Sequence, residues 1–246
     1  MDTLKTSTGD SWWGPNSVVP VLPISISSGI ATEELLRVIY RLWEIGAPDL
    51  LYCSRVVNEE FLHETAYQET LSAFRELTEA ISSHKNGGGR QLLLAGLYMV
   101  NKGLFHACKA DRLLGSPGKH VLLDLPDDSE PQILENILFD LQVNGYAPVL
   151  LSPYRYAYFQ KTPKRFKRLR HLGCRFQLDL LALTAARPIR ERNMVMKLLN
   201  ENFFDMVGLH IDDQHDLEVF EDFARNGKAD ELFRKYPLDN FKISGY

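Results

Sequence analysis

The sequence predicts an α/β domain in which parallel strands alternate with covering helices. Three observations predict it. Short apolar runs alternate with helical patterns from residue 18 to 236, successive strands recur roughly 30 residues apart, and the 246 residues suffice to bury one large core without disulfide or metal support.

Taken in order, Val18 to Leu22 is a first strand. Thr32-Glu33-Glu34 signals a helix start, and Leu35, Leu36, Val38, Ile39 and Leu42 form its apolar side until Gly46 stops it. Leu50 to Cys53 is a second strand, followed by a long helix over Asn58 to His84 with Phe61, Leu62, Leu71, Phe74, Leu77 and Ile81 inward. Lys85-Asn86-Gly87-Gly88-Gly89 is a flexible turn, because a phosphate loop needs a strand before it and Lys-Ser/Thr after it. Gln91 to Leu97 and Val121 to Leu125 are the third and fourth strands. Glu130 to Val143 is an amphipathic helix, with Ile133, Leu134, Ile137, Leu138 and Leu141 inward, closed by Asn144-Gly145.

Pro148 to Leu151, Phe176 to Leu183 and Met206 to Ile211 are the last three strands, with helices at Lys164 to His171, Ile189 to Asn202 and Leu217 to Phe223. Seven strands suit either an open doubly wound sheet or a closed barrel, and periodicity alone does not choose between them. The expected organisation is an irregular leader over 1–17, one domain over 18–236 and a tail over 237–246. Trp12 and Trp13 of the leader are expected to cover the bottom of the domain or a partner surface.

With 28 Lys plus Arg against 32 Asp plus Glu, the net charge of -4 provides no basic field for a nucleic-acid partner. The local run Lys161 to Arg170 reads as the solvated face of a helix. Cys53, Cys108 and Cys174 are widely spaced, lack a CxxC pattern and read as buried thiols of a reducing compartment. The first residues carry neither a basic start nor an apolar core, and no run of apolar residues is long enough to span a bilayer. A soluble cytoplasmic protein without membrane insertion is the expectation.

In either architecture, chemistry uses the residues just after the strands. Those are Ser54 and Arg55, Tyr98, Asp124, Ser152 to Arg155, Asp179, and His210 to Asp216. The most telling stretch is Gly145 to Tyr156, GYAPVLLSPYRY, where an apolar strand runs abruptly into proline, two aromatics and an arginine.

Around that stretch the chain resembles the bacterial protein-tyrosine phosphatases of the polymerase-and-histidinol-phosphatase superfamily found in capsular and exopolysaccharide operons. The likeness is strongest from Lys119 to Leu217, through KHVLLDLP, ILENILFDLQVNGYAPVLLSPYRY, RFKRLRHLGCRFQLDLLALT and NENFFDMVGLHIDDQHDL. It extends toward the N-terminus through VLPISISSGIATEELL and IGAPDLLYCSRV. The resemblance implies a distorted seven-stranded (β/α) barrel, TIM-like, with its site at the C-terminal mouth. It also implies a cluster of manganese, iron or zinc ions there, which would acidify a water and neutralise phosphate oxygens.

This sequence departs from the ligand set that the resemblance implies. Val18 and Pro20 stand where the family has His-x-His, and Cys53-Ser54-Arg55 replaces Thr-Pro-His. Leu97 replaces the bridging glutamate of Glu-Tyr-Met, Ser152-Pro153-Tyr154-Arg155 replaces His-Pro-Glu-Arg, and His210-Ile211-Asp212 reverses the final Asp-x-His. Aliphatic side chains offer no lone pair and a guanidinium keeps its protons, so the multinuclear site is expected to be lost.

Arg55 and Arg155 then have two readings: inward clamps for a carboxylate or phosphate, or salt-bridge partners of Asp124, Asp179 or Asp212. His210, Asp212 and His215 are weak candidates for a single Zn, Mn or Mg ion, although no cofactor is expected. Asp213 and Asp216 also suit a helix N-terminus, and His210 a hydrogen-bonded barrel position. Tyr154, Tyr156, Tyr158 and Phe159 suit a lid, or packing on Phe166. Tyr98 suits the interior.

The expected function is a catalytically degenerate barrel acting as a binding or structural module near polysaccharide synthesis or export. The alternatives are a phosphoester hydrolase using Arg55 and Arg155 as clamps with His210 paired to Asp212, and a sensor for an anionic metabolite or phosphorylated peptide. Ser152, Tyr154, Tyr98 and Asp124 complete the ligand-facing set, and a protein partner is compatible with each reading.

Overall fold

The computed structural model describes residues 18–22, 32–47, 49–56, 64–82, 90–109, 113, 114, 116, 119–236 and 238. The leader with its two tryptophans, the glycine turn at 85–89, the start of the second helix at Asn58 and all of the tail except Leu238 lie outside the described residues.

The chain runs β1 (Val18–Leu22), α1 (Thr32–Glu44), β2 (Asp49–Val56), α2 (Glu64–Ser82), β3 (Leu92–Met99), α3 (Lys102–Lys109), β4 (His120–Asp124), α4 (Leu134–Val143) and β5 (Ala147–Leu151). A 3-10 turn at Pro153–Arg155 follows, then α5 (Ala157–Lys161), α6 (Lys164–His171), β6 (Arg175–Asp179) and a second 3-10 turn at Leu180–Leu183. The chain continues through α7 (Ile189–Asn200), β7 (Met206–His210), α8 (Gln214–Arg225) and α9 (Lys228–Lys235). Among the described residues, no helix is long and apolar enough to cross a membrane.

The six strands β2 to β7 pair in parallel, each with its sequence neighbour, and form a curled sheet wrapped by helices. β1 pairs with β2 along its length and meets β7 at Leu22 and His210. Since all strands point the same way, Asp124, Ser152, Asp179 and His210 are delivered to one end of the sheet.

The two-residue period of the strands sorts side chains onto two faces. Leu51, Cys53, Ala95, Leu97, Leu122, Val149, Leu151 and Met206 pack together on the inner face. Leu50, Tyr52, Val121, Leu123, Leu150, Phe176 and Leu178 point outward into the layer shared with the helices. That outer layer has an aromatic centre at Phe166, which meets Phe159, Phe176 and Phe203 with ring centroids 5.6, 5.9 and 6.2 Å away. Each such ring, fully buried, contributes about 1.5–3 kcal/mol.

Some boundaries differ from expectation, each for a local reason. The apolar run Phe176 to Leu183 is not one strand: the Asp179 side chain accepts from Leu181 N and turns the chain into a 3-10 segment after β6. The helix expected from Glu130 begins at Leu134, and that expected at Leu217 begins earlier, at Gln214, behind the Asp213 cap. α3, α5 and α9 are additional to the expected helices, and all are eight residues or shorter.

Candidate functional site

The polar groups at the C-terminal end of the sheet fall into two arginine-centred clusters. The first is built by the turn after β5. Ser152 adopts left-handed φ of 43° and donates its backbone N–H to Gln177 O at 3.1 Å, so the chain bends sharply and Pro153 opens the 3-10 turn. This bend buries Tyr154 and sends Arg155 across to Asp124, the last residue of β4.

Arg155 Nη2 donates to Asp124 Oδ1 at 2.6 Å and to Tyr156 Oη at 3.2 Å. Tyr156 Oη donates to the same carboxylate oxygen and accepts from Leu125 N at 2.9 Å, and the guanidinium carbon lies 4.9 Å from the Tyr156 ring centroid. Burial works against the Arg155 charge, but Tyr156 and Asp124 outweigh it and raise its pKa further. Burial, reinforced by the Asp124 charge, raises the Tyr156 pKa and keeps the phenol a donor. Arg155 Nε is buried without a hydrogen-bond partner among the described residues, while 26% of the side chain remains exposed.

The second cluster joins β6, β7 and the start of α8. Arg187 Nη1 and Nη2 clamp Asp216 Oδ1 and Oδ2 at 2.6 and 3.0 Å, and Nη2 also donates to His210 O at 2.8 Å. Its Nε stands 3.8 Å from Asp179 Oδ2, and its Nη2 3.7 Å from Asp212 Oδ2. His210 Nε2 lies 3.1 Å from Asp212 Oδ1, and His210 N donates to Asp179 Oδ1 at 3.2 Å. Burial pushes the Asp179 carboxyl up to about 6, against the opposing pull of Arg187 and His210.

The expected site residues are thus only partly brought together. Asp124 and Arg155 pair in one cluster, His210 and Asp212 meet in the other, and Ser152 is buried. Arg55 lies in β2 opposite Leu97, and its side chain is outside the described residues. Tyr154 is no lid: its hydroxyl donates to Ser152 Oγ at 3.4 Å and accepts from Asp179 N at 3.3 Å inside the fold. Tyr98 is likewise buried, and its hydroxyl accepts from Leu114 N at 2.7 Å. Tyr156 stacks on Tyr158, and Phe159 meets Phe166, so this aromatic run packs as a unit. His215 is exposed on the first turn of α8, where Asp213 caps the helix by accepting from Asp216 N at 2.9 Å. Sequence reasoning missed Arg187, whose place before Pro188 carries no periodic signal, and Gln177, an inner-face residue that looked like ordinary strand.

The donor set does not fit the metal cluster that the resemblance implies. Leu97 is packed on the apolar inner face, the Ser152 hydroxyl is within hydrogen-bond reach of Tyr154 and Gln177, and Asp179, Asp212 and Asp216 surround a guanidinium. Among the described residues, no group of three or more His, Cys, Asp or Glu is arranged to hold a metal ion.

A family model described as Capsular polysaccharide synthesis, CpsB/CapC, matches residues 57–219. The tyrosine-protein phosphatase YwqE of Bacillus subtilis (strain 168) is 26% identical over 89 residues, which are 36% of this chain and 35% of that protein. The match therefore spans about a third of the relative's length. A crystal structure from the pair YwqE of Bacillus subtilis and CpsB of Streptococcus pneumoniae, described as metal-dependent tyrosine phosphatases, superposes with a TM-score of 0.66 at 18% identity, covering 90% of this chain and 96% of that one. The lactonase Lmo2620 of Listeria monocytogenes superposes with a TM-score of 0.56 at 8% identity, covering 94% of each chain. At such identities the structural likeness speaks for the α/β fold with a curled parallel sheet.

Proposed function

The chain belongs to the capsular polysaccharide synthesis CpsB/CapC family, and on that premise we propose that it is a catalytically degenerate member serving as a binding or structural module beside polysaccharide synthesis or export machinery. In this reading the protein works in the cytoplasm as one domain over 18–236, a distorted barrel of seven strands that β1 closes between β7 and β2. The observation that carries the reading is the pairing of the mouth carboxylates with arginine: Asp124 with Arg155, and Asp216 with Arg187. A multinuclear phosphatase centre needs such carboxylates, and several histidines, as open donors.

The test is metal analysis of the purified protein together with turnover of p-nitrophenyl phosphate and a phosphotyrosine peptide. Substoichiometric metal and no turnover are expected. Metal-dependent turnover that is lost in His210→Ala or Asp212→Asn would overturn the reading. Turnover that survives chelation but is lost in His210→Ala would instead favour a metal-free hydrolase built on the His210–Asp212 pair.

A second reading, an anion-binding sensor, is favoured by one observation. Arg155 has a buried Nε without a partner among the described residues, and part of its side chain reaches solvent at the mouth. The ligand would be a phosphate or carboxylate, free or on a phosphorylated peptide, held by a charge-assisted contact. Phosphotyrosine binding that persists in EDTA and is lost in Arg155→Ala is the expected result under this reading; equal binding by the variant would sink it.

A further inference from the structure

The exposed sides of α4 and α6 meet in a shallow groove of about 470 Å³, lined by Phe139, Gln142, Val143, His171, Leu172 and Gly173. Phe139 and Val143, four residues apart on α4, are 66% and 67% exposed, the highest values for large apolar side chains among the described residues. The core face of α4 is already supplied by Leu134, Ile137, Leu138 and Leu141, so this second apolar strip faces water. A single exposed apolar residue is ordinary, whereas adjacent ones lining a concavity mark a binding surface. The groove is held in shape by Gln142, whose Nε2 donates to Leu138 O and Leu172 O, each at 2.7 Å. It lies beside the starts of β5 and β6, at the end of the sheet opposite the two arginine clusters.

The charges around the groove have one sign. On α6, Lys164, Lys167 and His171 are exposed and share one face by their spacing of three and four. The arginines of the same helix are occupied: Arg165 by Glu130 and Glu135, Arg168 by Glu135, and Arg170 by Asp205. Lys164, Lys167 and His171 make no ion pair among the described residues. At the other end of α4, Lys119 Nζ lies 3.9 Å from the place a Cβ on Gly145 would take. The acids of α4 do not offset these cations. Glu135 is spent on two arginines, and half-buried Asp140 belongs to the α3 side of the helix, where Asn144 reaches Cys108 Sγ at 3.6 Å.

We propose that the α4–α6 groove is a docking site for an acidic amphipathic segment of a partner protein. Its aromatic or aliphatic side chains lie on Phe139, Val143 and Leu172, and its carboxylates face Lys164, Lys167 and His171. Helix-in-groove recognition needs this combination of an apolar trough and a charged rim. A bilayer is a poorer match, because a concave groove receives side chains and the whole chain carries a net charge of -4. The proposal goes beyond the degenerate reading and does not depend on it: the groove is remote from the mouth, and the hydrolysis assays above leave it unaffected.

The test uses an array of synthetic peptides in which Phe and Leu recur every third or fourth position among Asp and Glu, with matched peptides carrying Gln or Lys for the acids. Binding of labelled peptides to the full chain is read by fluorescence anisotropy. The acidic peptides are expected to bind, the matched ones not, and binding is expected to weaken as salt rises. Phe139→Ala should weaken it about tenfold or more, and Lys164→Glu/Lys167→Glu by a similar factor, with Tm unchanged in both because the altered side chains are exposed. Acidic peptides that bind no better than the Gln or Lys series, or that bind folded Phe139→Ala and Lys164→Glu/Lys167→Glu as well as wild type, would overturn the proposal. Two controls name the other occupants. Co-sedimentation with phosphatidylserine vesicles that Phe139→Ala abolishes, without preference for acidic peptides, would overturn it in favour of a membrane surface. A dimer in analytical ultracentrifugation that Phe139→Ala dissociates would overturn it in favour of a second copy of this chain.

Discussion

His120 makes the stability of this protein sensitive to acid in a way that can be calculated. It is the first residue of β4, at the opposite end of the sheet from the two clusters, and only 2% of it is exposed. Its Nε2 lies 2.7 Å from Arg175 Nη1, and its Nδ1 lies 3.3 Å from Ser116 Oγ. A guanidinium only donates, so Nε2 must hold a lone pair and Nδ1 the proton. A second proton on Nε2 would set N–H against N–H beside a permanent cation. Burial first, and the Arg175 charge second, push the His120 pKa down from 6.5 to about 4. The unfolded chain then binds the proton in the window where the folded chain does not. The contribution is therefore complete above the unfolded value and is lost as pH falls toward the folded one. At 1.36 kcal/mol per pKa unit the whole effect approaches about 3 kcal/mol, with about 2 kcal/mol already lost at a pH of about 5.

Asp179 acts with the opposite sign over much of the same range. Its raised folded pKa gives stability that is present below the unfolded value and is lost as pH rises through about 6. The net curve of wild type therefore hides the histidine, and the assay has to be a difference. Urea unfolding of wild type and His120→Gln, whose amide oxygen can still accept from Arg175, should give a stability difference that is constant above neutral pH. It should shift by about 2 kcal/mol against wild type on going to a pH of about 5. A difference that stays flat, or moves in favour of wild type on acidification, would refute the reasoning.

Three further substitutions probe the frame. Arg41 clamps Glu221 with bonds of 2.7 and 2.8 Å and ties α1 to α8; Glu221 is 6% exposed. Arg41→Met should cost about 3 kcal/mol, the lower end for a broken buried pair because Arg225 remains 3.5 Å away, and Arg41→Met/Glu221→Met should recover most of it in urea unfolding. Tyr156→Phe removes a donor to Asp124 and an acceptor for Leu125 N, and should lower stability by about 1–3 kcal/mol without changing the far-UV spectrum. Gly173 has φ of 78°, and a methyl there would run into the Gln142 amide that donates to Leu138 O and Leu172 O, each at 2.7 Å. Gly173→Ala should therefore cost about 2 kcal/mol, and less in a Gln142→Ala background, as read from denaturation midpoints.

The elements that sequence displayed well are those whose period and punctuation agree. Thr32-Glu33-Glu34 did open α1, Gly46 did end it with φ of 92°, and Gly145 follows α4 with φ of 80°. β6 shows the limit. Leu180 to Leu183 are as apolar as the strand before them, and only the fold reveals that Asp179 folds back on Leu181 N to end it. Tyr98 and Tyr154 show the same limit for side chains. A tyrosine at a strand end can face a ligand or the interior, and the choice here was made by partners distant in sequence, Leu114 N and Asp179 N. For the site, the positions after the strands were legible because a parallel sheet delivers its strand ends to one edge. Arg187 was not, because it lies in the irregular loop after β6 and acquires meaning only when that loop is folded against β7 and α8.

That asymmetry bears on how such a mouth is held together. Buried carboxylates cannot be left alone, since each unpaired charge away from water costs several kcal/mol. Retaining such acids therefore requires cations near them. Here the acids Asp124, Asp179 and Asp216 remain buried, each with an arginine in reach at 2.6, 3.8 and 2.6 Å. The arginines come from a turn and a loop, elements whose sequence is free to vary without disturbing the sheet. Stability at this end of the sheet thus rests on the same side chains: a substitution of Arg155 or Arg187 is expected to weaken the fold, and a stable variant of this scaffold is expected to keep its arginines.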